Sequence, residues 1–430
     1  MLSQAAKRTY PVLPPPTHSR EHWQRVRDEA LRMIDEVPLY AGRAPAPDSG
    51  APEAIAAWLA AQPTVGKREL RRGFPKSIVR KSCDVKAAMQ AGQVEIIATS
   101  GTTESRLQVL WEWSWWDPQE REAMRLNARV AATMQPGFRE AVLTTPVCGG
   151  STCHIGTLSL AERTVDGMLF LNQVADPSLW NEAELGRMVA EWNDLKPDGV
   201  ESDPQYLAAL CRWASQRNIA LHNPTFVTLT YEQATRSARR AIAAALPATG
   251  VYDLYGATEA GVLFMECEHH RLHHNSRHSH IELLDVGHDL ARVVVTTLGR
   301  TWMPLLRYDI GDLVRVAEGA CGCGRGGEGY TLARIEGRAN DAIEVNGRLF
   351  TPAGLDDVVD GADATIVQWQ LQRNGQGEEQ PWILHAVGGV DGGAVAAAAV
   401  SAVLGAPVES RATPLIQPEA SGKYRIVRAS

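Results

Sequence analysis

At 430 residues the chain is too long for one ordinary hydrophobic core, so two or three domains are expected. Its composition, 44% hydrophobic and 22% charged, is that of a globular protein, and a net charge of −7 argues against nucleic acid as a main partner. No apolar run approaches the roughly 20 residues of a membrane span, the first residues lack the apolar centre of a secretory signal, and seven unevenly spread cysteines make no disulfide framework, so a cytoplasmic protein with no membrane partner is expected.

Residues 10–17 are proline-rich and irregular. Residues 20–40 have helical periodicity, with Trp23, Val26, Ala30, Met33 and Ile34 on one face. The basic stretches 67–72 (KRELRR) and 236–240 (RSARR) read as solvated helix faces. A strand at 94–98 runs into TSGTTES, small hydroxyl residues around one glycine. Such a loop can wrap an anion with backbone N–H groups and hydroxyls, but it lacks P-loop spacing and no lysine follows nearby. LQVLWEWSW alternates like a strand, with Trp111, Trp113 and Trp115 on one side. A helix is then expected with Asp117 as N-cap and Pro118 at its first position.

REAVLTTPVC and GMLFLNQ read as buried strands around a glycine loop, CGGSTCHIG. Helices follow at EAELGRMVAEWNDL and at DPQYLAALCRWASQRN, the second capped by Asp203 with Pro204 behind it. Strand 225–232, a helix over QATRSARRAIAAAL and a strand entering the YGATEAG loop continue the alternation. Strands alternating with helices over some 260 residues imply an α/β fold with largely parallel sheets. From about 279 closely spaced strands take over, and after a hinge near Asn340–Asp341 a small α/β unit closes the chain.

Charge usage is uneven. There are seven lysines against 36 arginines, and Lys423 is the single lysine after Lys196. Six of the twelve histidines fall between Cys267 and His280, with Cys321 and Cys323 downstream. Cys267, His273, Cys321 and Cys323 would make a Cys₃His tetrahedron with no open position, the donor set of a structural Zn²⁺. His274 is an alternative to His273, and a solvated histidine-rich loop with free thiols is the plainer reading. His269, His270, His278 and His280 are expected at the surface.

Four stretches occur in order: TSGTTE (99–104), YGATEAG (255–261), RYDIGDL (307–313) and GRANDAIEVNG (337–347), with SGKYR (421–425) at the end. Together they resemble the adenylate-forming superfamily of acyl-CoA synthetases, adenylation domains and luciferases, and most closely its phenylacetate–CoA ligase group. The resemblance runs from about residue 95 to the C-terminus and includes the N-terminal helix.

It implies a large multi-subdomain α/β adenylation domain over 1–339, with a zinc-binding insertion around 267–323. A small mobile α+β domain over 341–430 follows, turning about Asn340, where the family more often has an acid. Thr99 to Thr103 would hold the β- and γ-phosphates of ATP, Thr102 and Thr103 through hydroxyls and Ser100 and Gly101 in the loop backbone. Lys423 would supply the missing cation at the α-phosphate and carboxylate. Tyr255 would pack on the adenine beside Gly256, Thr258 would bond the α-phosphate, and Glu259 would hold Mg²⁺. Asp312 would accept from the ribose hydroxyls and Arg338 would sit near ribose or phosphate, with Arg307 and Asp309 structural. The Cys and His cluster matches a similar arrangement in the phenylacetate group.

Three positions depart from or stand outside that pattern. Glu104 puts a carboxylate beside the triphosphate unless Mg²⁺ or Arg106 neutralises it. Tyr231 stands where relatives have a glycine-rich adenine loop and could narrow the pocket. His154 could touch the substrate or serve as a core histidine.

The implied reaction is ATP-dependent activation of a small carboxylic acid, aromatic by family likeness, as an acyl-adenylate, followed by transfer to CoA. Transfer to an amine, a hydroxyl or a carrier thiol, or of AMP to a cofactor, is the alternative. A non-catalytic binding relative is a third reading, disfavoured by Glu259, Asp312 and Lys423. A homodimer is compatible with all of these.

Overall fold

The computed structural model describes residues 10–99, 106–145, 155–325, 328–373 and 381–428. The expected phosphate loop, Ser100 to Thr103 with Glu104, and the CGGSTCHIG loop through His154 lie outside the described residues.

One twelve-stranded sheet organises the large domain. Its parallel part comprises Met168–Phe170, Glu140–Leu143, Gly199–Ser202, Phe226–Leu229 and the first half of Gly250–Ala257. The second half of Gly250–Ala257 pairs antiparallel with Gly261–Glu266. From there Leu272–His274, Thr331–Arg338, Tyr308–Val316, Leu290–Thr297 and Ser279–Gly287 continue antiparallel to the edge.

The sequence builds these elements by ordinary means. Helix Pro204–Gln216 starts where the Asp203 carboxylate accepts from the N–H of Gln205 at 2.9 Å, with proline at the first position. Helix Arg236–Ala245 starts at Thr235 in the same way. These two and Glu182–Leu195 bury Trp192, Tyr206, Leu207 and Ile242 against the parallel strands in one core. Helix Arg20–Glu36 is capped by Ser19 and lays Val26, Ala30 and Met33 into a second core with the antiparallel strands. Each such aliphatic burial stabilises by roughly 1.5–3 kcal/mol. No helix among the described residues is long and apolar enough to cross a membrane.

The tryptophan stretch differs from expectation. The strand ends at Trp111, and a helix already runs over Trp113–Met124 with Pro118 inside it. Distant contacts start it early. Trp115 is buried with Arg300 over its ring, and its Nε1 donates to the Leu298 carbonyl at 3.1 Å. The Glu112 carboxylate accepts from the N–H of Thr301 at 3.2 Å. The alternating pattern was therefore misleading, and Trp113 is left 57% exposed.

The small C-terminal domain has its own core, built on a four-stranded sheet in the order Val408–Ala412, Trp382–Gly388, Ile366–Arg373, Val427–Arg428. Helices Pro352–Ala362 and Ala394–Leu404 pack against it. It docks on helix Arg236–Ala245, where Arg236 pairs with Asp357 at 2.8 Å and Arg240 pairs with Asp360. The RSARR stretch is thus an interdomain contact and not a freely solvated face.

Candidate active site

The candidate site gathers at the carboxyl ends of successive parallel strands, the place where open α/β sheets hold ligands. Strand Gly199–Ser202 delivers Asp203, Phe226–Leu229 leads to Tyr231 and Glu232, and Gly250–Ala257 carries Tyr255 and Gly256. Gly256 is required there. A Cβ would lie 2.4 Å from the Gly261 carbonyl oxygen of the paired strand. Thr258 and Glu259 follow in the tight turn between the two strands.

The Glu259 carboxylate is buried. Oε1 accepts from the Tyr308 hydroxyl at 2.6 Å and lies 3.7 Å from Lys67 Nζ. Burial pushes its pKa up, but Lys67 and the Tyr308 hydroxyl outweigh this and hold it below the usual carboxylate range. The Arg300 guanidinium bonds the Glu259 carbonyl and, at 3.1 Å, that of Leu110, fixing the turn. Asp312 accepts from the Tyr255 hydroxyl at 2.9 Å, and Arg338 Nε lies 3.0 Å from its other oxygen. That approach is off the line of a hydrogen bond, so Oδ1 keeps its acceptor capacity. The Arg338 side chain is 48% exposed.

The C-terminal segment closes the site. The Lys423 ammonium donates to the Tyr231 carbonyl, the Tyr424 N–H to Glu232 at 2.5 Å, and the Tyr206 hydroxyl to the Gly422 carbonyl at 3.0 Å. Burial lowers the Lys423 pKa, as does Arg338, while Glu232 and Asp203 oppose this. Burial raises Asp203 to about 7 and, with Asp203 as the next cause, raises Glu232 well above the usual range. Tyr231 sits in the left-handed region at φ 72°, a conformation uncommon for a bulky residue and frequent at working sites. Its hydroxyl bonds Glu201.

The structure therefore brings Tyr255, Glu259, Asp312, Arg338 and Lys423 to one site from parts of the chain up to 168 residues apart, counted from Tyr255 to Lys423. Arg307 and Asp309 are turned away, paired with Glu282 and Arg292 at 2.8 Å each. Sequence reasoning missed Lys67, Tyr308, Asp203 and Glu232. Tyr308 lies inside a quoted motif. Lys67 belongs to KRELRR, expected as a solvated helix face, but it pairs with Glu259, 192 positions away, and a basic run gives no sign of so distant a partner.

A second cluster gathers Cys267, His273, Cys321 and Cys323, with one ligand atom from each within 4.8 Å of the others. The Cys267 and Cys321 sulfurs are 3.6 Å apart, and Cys323 Sγ is 3.2 Å from His273 Nε2. Edges near 3.7 Å are expected around a tetrahedral zinc with bonds of about 2.3 Å. His273 Nδ1 lies 3.3 Å from Thr331 Oγ1, the type of outer contact that orients a ligating imidazole. His274 points the other way, to Ser279 Oγ at 3.0 Å, so His273 is the histidine grouped with the thiols. His280 is not a surface residue as expected. It is 2% exposed, because the sheet edge is covered by the N-terminal helix.

This is the fold of the adenylate-forming enzymes. Over 97% of its length the chain superposes on 94% of a solved 2-hydroxyisobutyryl-CoA ligase in the postadenylation state in complex with R3-HIB-AMP, with a TM-score of 0.69 and 16% identity. Against the same ligase with 2-HIB-AMP and CoA in the thioesterification state the TM-score is 0.55, with 18% identity and the same coverage. An anthranilate CoA ligase in complex with anthranoyl-AMP matches at 0.51 and 13% identity, over 76% of this chain and 64% of that one. In sequence, 201 residues are 27% identical to the phenylacetate–coenzyme A ligase of Thermus thermophilus, covering 43% of this chain and 44% of that protein, so the match spans less than half of the relative. No protein-family model matches the sequence.

Proposed function

We propose that the protein is an AMP-forming acid–CoA ligase. It joins a carboxylic acid to ATP, releasing pyrophosphate, and then passes the acyl group from the adenylate to CoA. The observation that carries this reading is the convergence of Lys423 from the small domain with Glu259, Asp312 and Arg338 of the large domain. A lysine ammonium at the reacting phosphate and carboxylate stabilises charge that grows in the transition state. Asp312 and Tyr255 would hold the ribose and the adenine, Thr258 the α-phosphate, and residues 99–103 the outer phosphates. Glu259 is the carboxylate suited to Mg²⁺, which would supply charge neutralisation at the phosphates. The higher similarity to the postadenylation state supports reading the docked lysine as the adenylating arrangement. Turning of domain 341–430 on domain 1–339 about Asn340 would then admit the acceptor. Cys267, His273, Cys321 and Cys323 would hold a structural Zn²⁺, bracing strands Gly261–Glu266 and Leu272–His274 against the loop after Tyr308–Val316. The favoured acid is aromatic, by likeness to the phenylacetate and anthranilate enzymes.

A second acceptor class is favoured by one observation. Four arginines that could hold the 3′-phosphate of CoA are already paired: Arg315 with Glu336, Arg325 with Glu268, Arg236 with Asp357 and Arg240 with Asp360. An amine, hydroxyl or carrier thiol would need no such patch. Pyrophosphate exchange over a panel of aryl, aliphatic and amino acids tests the first half-reaction. AMP release with CoA, hydroxylamine or amines tests the second. Absence of exchange with every acid would overturn the ligase reading.

A further inference from the structure

Away from that site, three imidazoles from opposite ends of the fold meet. His18 lies just before Ser19, the N-cap of helix Arg20–Glu36, His22 lies in its first turn, and His280 is on edge strand Ser279–Gly287. One ring nitrogen from each lies within 4.8 Å of the other two. The rings of His18 and His22 stack with centroids 3.9 Å apart and planes within 5°. His22 Nε2 faces His280 Nδ1 at 3.1 Å.

Two features ask for an occupant. Both ring nitrogens of His18 are buried without a hydrogen-bond partner among the described residues. Burying such atoms unpaired is costly, and a bound ion is a standard explanation for them. The 3.1 Å separation of His22 and His280 is also close to the ~3.3 Å edge between two nitrogens on a tetrahedral zinc with bonds of about 2.0–2.1 Å.

We propose that His22 and His280, joined by His18 once its ring turns out of the stack with His22, form a three-imidazole site for a divalent transition ion of the zinc class, separate from the thiolate cluster. Adjacent residues of one strand separate the two sites. His273 faces the cysteines, while His274 faces the other side, its ring centroid 6.2 Å from that of His18. An all-imidazole donor set suits zinc, copper or nickel, whereas the thiolate set takes the softer partners. The bound ion clips the N-terminal helix to a strand some 260 positions later, where Leu13 and Pro11 already hydrogen-bond Leu283 and Asp285 at 2.7 and 2.8 Å.

The test is metal stoichiometry with the full chain. Metal-stripped protein is titrated with Co²⁺, read by absorption, and with Zn²⁺, read by elemental analysis and thermal unfolding. Wild type should bind two ions. His18→Gln, a half-buried position ahead of the helix, should bind one and keep the thiolate-to-cobalt charge-transfer band. Cys323→Ser should weaken or lose that band while retaining a nitrogen-ligated Co²⁺ spectrum. The Zn²⁺-dependent rise in Tm should shrink in His18→Gln, and His280→Gln should repeat the loss if it folds. Binding by wild type of only a thiolate-ligated ion, or nitrogen-ligated Co²⁺ undiminished in His18→Gln, would overturn the proposal; a single nitrogen-ligated ion would instead count against the thiolate site.

Discussion

Lys67 Nζ stands 3.7 Å from Glu259 Oε1, an ion pair between a five-residue helix near the N-terminus and the turn at the centre of the candidate site. It holds a buried carboxylate ionised in a place where burial alone would protonate it.

That pairing sets the pH dependence. In Lys67→Met the stem remains but the charge is gone, so burial raises the Glu259 pKa. A rate that needs the carboxylate then falls away at higher pH on the acid side. The loss should be larger at pH 6 than at pH 8, as seen in the pH profile of pyrophosphate exchange. An acid limb unchanged from wild type would remove Lys67 from this role.

Lys423→Ala should lower adenylate formation by on the order of 10²–10³, the usual effect of losing one transition-state charge contact. The residue also donates to the Tyr231 carbonyl and counters the charge of Glu232 and Asp203. Single-turnover adenylation measured beside Tm separates the two effects. Near-normal exchange in a folded variant would refute the assignment.

The legible parts of this protein were those whose signals are local. Asp203–Pro204 and Thr235 announce helix starts through capping chemistry, and both helices begin there. The site residues Tyr255, Glu259, Asp312, Arg338 and Lys423 lie in short glycine-bearing stretches that could be ordered along the chain. What stayed hidden depends on partners far away. The helix at Trp113 is set by contacts to 298–302, His280 is covered by an N-terminal helix, and Arg236 and Arg240 find acids about 120 positions downstream. A period or a charge run carries no information about such partners.

Glu140 offers a test of the electrostatics behind Tyr231. Its pKa is pushed up to about 8, first by burial and then by the neighbouring Glu201. An unfolded glutamate titrates near ~4.3. Between these values the folded chain keeps a proton that the unfolded chain has lost, so stability falls as pH rises through the window. Glu140→Gln removes that dependence while keeping the shape. Its stability gain over wild type should be absent near pH 4, grow with pH and level off above about 8. At about 1.4 kcal/mol per pKa unit, it should reach the order of a few kcal/mol. Urea melts at pH 5, 6.5 and 8 give the comparison, and parallel curves would contradict the account.

The interdomain arginines allow the docking of Lys423 to be varied without touching the site. Asp357 accepts from Arg236 and also from Arg334, and Asp360 pairs with Arg240. These groups are partly exposed, so each pair is worth only about 0.2–1 kcal/mol and is screened by salt. Removing both acids should therefore shift the docked arrangement by roughly 1 kcal/mol, a factor of about five in population. Asp357→Asn with Asp360→Asn should slow pyrophosphate exchange severalfold at low salt, with a smaller difference from wild type at high salt. If the freed arginines then meet the acceptor phosphate, the KM for CoA should fall in the same variant. A KM for CoA unchanged while exchange slows would assign the arginines to docking alone, and unchanged exchange at every salt concentration would show that these pairs do not govern the position of Lys423.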